Sequence, residues 1–320
     1  MGLLVDGQWQ DDWYDTKASG GRFVRRDSAF RHWVQADGST EFAPEAGRYH
    51  LYVSLACPWA HRTLIVRKLK RLEDAISVSV VHPHMGKQGW TFENPDATPG
   101  CIEDTLNGAR VLHEIYTRAD ASYTGRVTVP VLWDRERETI VNNESAEIIR
   151  MLGREFDALG DASLDLYPEG LRKDIDEIND YVYPRVNNGV YRCGFATTQE
   201  AYEEAFAELF EALDALDARL GRQRYLVGDA LTEADWRLFT TLVRFDAVYV
   251  GHFKCNRQRI ADYPQLSGYL RELYQVPGVR ETVSFEHIKR HYYGSHRMIN
   301  PTGVVPLGPE LDLDRPHGRG

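Results

Sequence analysis

The chain has 320 residues, 42% of them hydrophobic, and a formal net charge of −10. That length accommodates two ordinary domains with real cores, and the acidic balance, with basic residues scattered rather than striped, argues against nucleic acid as a partner. Four widely spaced cysteines, Cys57, Cys101, Cys193 and Cys255, form no C-x-x-C pair, so neither a disulfide framework nor a structural metal site is expected.

The start of the chain turns polar and acidic after four residues and does not read as a secretory signal. No apolar run reaches the length of about 18 residues needed to span a membrane. A cytoplasmic protein with reduced thiols is the expectation.

In chain order, residues 1 to about 47 read as an irregular arm rich in Gly, Asp and Arg. A strand over 48–54, a helix over 58–72 and a strand over 76–81 then make a β-α-β unit, which calls for parallel strands. A long insert over 82–126 carries a short helix near 111–119. Residues 127–134 and 138–142 read as an antiparallel hairpin, and a helix opens after Asn142-Asn143-Glu144-Ser145. This order matches the thioredoxin fold.

Past residue 160 only helical periodicity recurs, over 171–186, 200–220, 233–249, 263–274 and 279–291. Thr232 is an N-cap with Asp235 in a capping-box role. The proline-rich end, 301–320, reads as an extended tail. The predicted fold is therefore α/β plus all-α. Residues 1–160 hold the arm and a thioredoxin-like domain, and 161–320 an all-helical domain with its tail.

Cys57 carries the chemistry. It follows the apolar run Leu51-Tyr52-Val53-Ser54-Leu55-Ala56, where a buried strand ends, and precedes Pro58, a residue suited to the first position of a helix. A sulfur at a helix N-terminus meets N–H groups and a dipole that favour the thiolate, the nucleophilic form. The other three cysteines lack this context and read as unreactive. Pro130 interrupts a strand-like run, which a cis-proline at the strand start resolves by turning the backbone of Val129 toward a ligand. Glu144-Ser145 at a helix start offers N–H groups for a carboxylate and a carboxylate for an ammonium, a pairing suited to an amino-acid head group. His82-Pro83-His84 lacks further ligands at metal spacing and reads as a solvated loop.

Together, Cys57-Pro58-Trp59-Ala60-His61-Arg62, Val129-Pro130-Val131-Leu132-Trp133-Asp134 and Asn143-Glu144-Ser145-Ala146-Glu147 resemble the cytosolic glutathione transferases. Gly86-Lys87-Gln88-Gly89-Trp90, Asn187-Asn188-Gly189-Val190-Tyr191-Arg192, Arg244-Phe245-Asp246-Ala247-Val248-Tyr249 and His291-Tyr292-Tyr293-Gly294-Ser295-His296 narrow the likeness to the glutathionyl-hydroquinone reductases, the xi class.

The resemblance implies Cys57 as nucleophile, with Trp90, Arg126, Val129, Glu144 and Ser145 as glutathione contacts. It implies a hydroquinone site lined by Tyr191, Tyr249 and Tyr292 from the helical domain, and a homodimer. Glutathione would be co-substrate and S-glutathionylated hydroquinones the substrates. The alternatives are an omega-like or glutaredoxin-like thiol transferase, a dehydroascorbate reductase, or a carrier of aromatic ligands without catalysis. With Ala60 as the fourth residue of the cysteine motif, an intramolecular dithiol cycle at this site is excluded, and glutathione itself must resolve any mixed disulfide.

Overall fold

The computed structural model describes residues 2–319. The chain divides into two compact units. The first comprises the residues up to Trp13, Asp27–Asp165 and Thr282–Ser295; the second comprises Tyr14–Arg26, Leu166–Glu281 and the chain from His296 onward.

The first unit opens with two short strands, β1 (Leu3–Val5) and β2 (Gln8–Gln10), where an irregular arm was expected. The turn between them is Asp6-Gly7, and both residues have positive φ, 48° and 73°. That is the requirement of a type I′ hairpin, for which Asp-Gly is the strongest short-range signal. Next come β3 (Tyr49–Val53), α1 (Pro58–Leu69), β4 (Ile76–Val80), α2 (Leu112–Ala119), β5 (Gly125–Arg126), β6 (Val131–Asp134), β7 (Thr139–Asn142) and α3 (Ser145–Arg154). The main sheet has the order β4-β3-β6-β7, with β3 and β4 parallel and the other pairs antiparallel. Every residue of β3 is buried, as a central strand covered on both faces demands. This is the expected thioredoxin-like core.

The small sheet β2-β1-β5 was not foreseen. Leu3 pairs with Arg126 and Leu4 with Gly125, a partnership across more than a hundred residues that leaves no local periodicity in either segment.

The second unit holds α4 (Arg172–Val182), α5 (Gly189–Phe195), α6 (Gln199–Leu220), α7 (Glu233–Arg244) and α8 (Leu266–Tyr274). Two of these helices end in π-helical turns, Tyr183–Asn187 after α4 and Phe245–Tyr249 after α7. The expected capping box is present: Thr232 donates its N–H to Asp235 Oδ2 at 2.8 Å, and Tyr269 donates its hydroxyl to Asp235 Oδ1 at 2.7 Å. Segment Tyr14–Arg26 belongs to this unit through Thr197 N–H donating to Gly21 O (3.0 Å) and the Arg22–Glu204 ion pair (2.6 Å).

Helix α9 (Phe285–Ser295), assigned on sequence to the helical domain, groups with the first unit. His287 Nε2 lies 2.7 Å from Pro99 O, His291 Nδ1 lies 3.0 Å from Pro83 O, and Ser295 Oγ accepts from Met85 N–H at 2.9 Å. Each partner lies in the long insert after β4, so α9 is tied to a loop of the first unit about 200 residues earlier. Among the described residues no helix is long and apolar enough to cross a membrane.

Candidate active site

Cys57 is the N-cap of α1, with extended backbone (φ −79°, ψ 124°), and Pro58 is the first helical residue. Its sulfur is partly exposed and donates to the carbonyl oxygen of Val129 at 3.6 Å. The Val129–Pro130 bond is cis, and β6 starts at the next residue, Val131. The helix start at Cys57 and the cis-proline at Pro130 are each where the sequence put them, and the two segments are neighbours. Among the described residues none of the four cysteines is in a disulfide. Burial pushes the Cys101 thiol up to about 11 and drives that of Cys255 well above its ordinary value. Both remain protonated at neutral pH and are poor nucleophiles.

Glu144 is the N-cap of α3, its Oε1 accepting from Ala146 N–H at 3.1 Å while Ser28 donates its hydroxyl to Oε2 at 3.2 Å. Ser145 follows at the first helical position and is buried. A third residue holds this helix start against the Val129 segment. The fully buried Tyr116 donates to Thr128 O at 2.8 Å, and Asn143 Nδ2 donates to the Tyr116 hydroxyl at 3.1 Å. Neither Ser28 nor Tyr116 was legible as a site residue, because their partners are distant in the chain.

Arg126 lies in β5 and donates from Nη2 to Trp13 O at 2.9 Å and from Nη1 to Asp12 O. Part of its guanidinium therefore ties down the N-terminal segment, a role the sequence did not suggest. Trp90 is buried and stacks on His291, ring centroids 4.7 Å apart and 25° from parallel. Tyr292, next on α9, sits edge-on to the His291 ring at 5.2 Å. Tyr292 thus belongs to the first unit, whereas Tyr191 and Tyr249 belong to the second.

In the second unit the Tyr191 and Tyr249 rings lie 6.1 Å apart. Phe253 stacks on Tyr249 at 5.4 Å, and Arg25 sits over Tyr191 at 5.1 Å. Tyr249 closes a π-helical turn and Tyr191 follows one, so each side chain is re-aimed relative to an uninterrupted helix. His82, set aside as a loop residue, is buried, with Nε2 3.0 Å from Asp96 Oδ1.

A thiol at a helix start, a cis-proline beside it and a capped helix after the β6–β7 hairpin make a thioredoxin-like arrangement, here in a chain with a separate helical unit. That combination defines the glutathione transferase class. Residues 56–155 match the family model "Glutathione S-transferase, N-terminal domain" and residues 199–272 match "Glutathione S-transferase, C-terminal domain".

The chain is 59% identical to the glutathionyl-hydroquinone reductase YqjG of Escherichia coli, covering 100% of this chain and 98% of that one. It is 57% identical to the glutathionyl-hydroquinone reductase PcpF of Sphingobium chlorophenolicum, covering 98% of each. The solved glutathione-bound structure of the Escherichia coli protein superimposes with a TM-score of 0.91, at 56% identity over the superimposed residues and 99% coverage of both chains. The chain belongs to the glutathione transferases and, within them, to the glutathionyl-hydroquinone reductase family, the xi class.

Proposed function

We propose that this protein uses glutathione to reduce S-glutathionylated hydroquinones, through a mixed disulfide at Cys57. The observation that carries the reading is the Cys57 sulfur at the start of α1, 3.6 Å from the carbonyl that precedes the cis-proline. The two named reductases to which the chain is similar along its whole length support the same reaction.

In the first step the Cys57 thiolate attacks the sulfur of the glutathionyl-hydroquinone. A sulfur–sulfur bond forms, the carbon–sulfur bond breaks, and the aromatic carbon takes up a proton. The ring is reduced to the hydroquinone, while the two sulfurs become the oxidised Cys57–glutathione disulfide. In the second step the thiolate of a free glutathione attacks the glutathione sulfur of that disulfide, releasing oxidised glutathione and the Cys57 thiolate. One enzyme cysteine suffices.

Trp90, Arg126, Val129, Glu144 and Ser145 are assigned to glutathione, and Tyr191, Tyr249 and Tyr292 to the hydroquinone and its proton. The reaction consumes reduced glutathione, which suits a reducing, cytoplasmic setting. A homodimer is the assembly that the transferase fold suggests.

The test is mass spectrometry of the intact protein after incubation with a glutathionyl-hydroquinone and no free glutathione. One added glutathione, mapped to Cys57 and removed by free glutathione with release of the disulfide, is expected. An unmodified protein that still turns over would overturn the reading.

The head-group assignment has its own expected result. Glu144→Ala removes a charge-assisted contact with an ammonium, so glutathione binding measured by calorimetry should weaken about ten- to a hundred-fold. Arg126→Ala should also weaken binding; each variant cuts structural ties too, Arg126 to Asp12 and Trp13 and Glu144 to Ala146 and Ser28, so thermal unfolding of both accompanies the calorimetry.

A further inference from the structure

Arg62 is one turn and a half beyond Cys57 on α1 and is 1% exposed. Its Nη1 donates to Ser145 Oγ at 3.3 Å. Ser145 is itself 2% exposed and is the first residue of α3. The helix that presents the sulfur is thus bonded, through a buried guanidinium, to the start of the helix assigned to the glutathione head group.

We infer that Arg62 is a positioning residue for glutathione, acting through Ser145: it fixes the direction of the Ser145 hydroxyl proton and sets a buried positive charge behind the start of α3. The inference rests on the reading that Glu144 and Ser145 hold the head group.

Two physical arguments carry it. A serine hydroxyl has one proton to donate and two lone pairs, whereas a guanidinium only donates. Once Arg62 occupies one lone pair, the Ser145 proton must point away from α1. Ser145 Oγ donates that proton to Glu144 Oε1 at 3.4 Å, so it is turned toward the carboxylate assigned to the head group's ammonium. In addition, the N-terminus of α3 carries the positive end of the helix dipole, and a buried cation within hydrogen-bond reach of its first residue reinforces the attraction for a carboxylate. Solvent screens a buried charge much less than an exposed one, so the effect persists at moderate salt.

The experiment is a double-mutant cycle on glutathione affinity, using the full chain with Arg62→Met, Ser145→Ala and both together. Thermal unfolding of each variant checks that it is folded. Arg62→Met should weaken glutathione binding roughly ten-fold in the parent, the lower end for a charged hydrogen bond. In the Ser145→Ala background the same substitution should cost much less, because its effect runs through the missing hydroxyl.

Arg62→Lys keeps the charge without the fixed fork of donors. It should raise the KM for glutathione while leaving kcat near the parent value, a split that general loosening of the fold would not produce. Should Arg62→Met fail to fold, the same cycle run with Arg62→Lys decides the matter. Equal losses in the parent and Ser145→Ala backgrounds, or no loss in the parent, would overturn the inference. Unaltered glutathione binding by Ser145→Ala alone would remove the head-group assignment and this inference with it, a result distinct from additive losses.

Discussion

Cys57→Ala is expected to abolish turnover of glutathionyl-hydroquinones while leaving glutathione affinity close to that of the parent. In the proposed mechanism the sulfur is the attacking atom, so its removal leaves no group to accept the glutathionyl sulfur. It stands at the helix start with a methyl group's worth of space in its place after mutation, so the fold of α1 and the cis-Pro130 segment should persist. Simultaneous replacement of Cys101, Cys193 and Cys255 by alanine should retain most of the activity, since burial holds Cys101 and Cys255 in the thiol form. Steady-state assays with a glutathionyl-hydroquinone and free glutathione check both results. Substantial turnover by Cys57→Ala would exclude the mixed-disulfide mechanism. Cys57→Ser is expected to show weak conjugation of glutathione to electrophiles, because a hydroxyl supports a glutathione thiolate without forming a disulfide with it.

The second large effect concerns the proton delivered to the aromatic carbon. Tyr→Phe at the donor among Tyr191, Tyr249 and Tyr292 should lower turnover of glutathionyl-hydroquinones by about a hundred-fold or more, the usual contribution of a positioned acid. Reduction of a small glutathione mixed disulfide by the same variant should hardly change, since disulfide exchange needs Cys57 and glutathione but no proton on a ring carbon. The substitution keeps the ring, so the stacking of Phe253 on Tyr249 and the edge contact of Tyr292 with His291 survive. Equal losses on both substrates would point to general damage or a shared role in holding glutathione. No loss in any single variant or in the triple would take these tyrosines out of the reaction and favour a thiol transferase acting on disulfides.

Much of this molecule was legible in its sequence, and the legible parts share one physical property: their signals are local. Cys57 before Pro58 announces a helix start because proline fits the first helical position, and Thr232 with Asp235 announces another because the cap and its partner are three residues apart. The strand β3, the helix α1 and the parallel strand β4 follow from apolar periodicity within a few residues. The expected helix over 171–186 takes in α4 and most of the π-helical turn after it, while α5 beyond residue 186 was missed; Pro184, inside that turn and without a backbone N–H, is the local signal that marks the break. The hairpin β1–β2 could have been found, because Asp6-Gly7 is itself a local signal.

The remainder required the folded chain. The pairing of Leu3 with Arg126, the bond from Ser28 to Glu144 and the bridge of Tyr116 between Thr128 and Asn143 join segments with no shared periodicity. The grouping of α9 with the first unit was misjudged from chain order alone, because hydrogen bonds to Pro83, Met85 and Pro99 outweigh adjacency to the preceding helices. The sequence by itself determined the helix that starts just after Cys57 and the two-part architecture, both encoded in spacings of a few residues. Only the tertiary structure decided which distant side chains, Arg62 and Ser145 among them, are buried against one another, because side chains tens of residues apart leave no spacing in the sequence that links them.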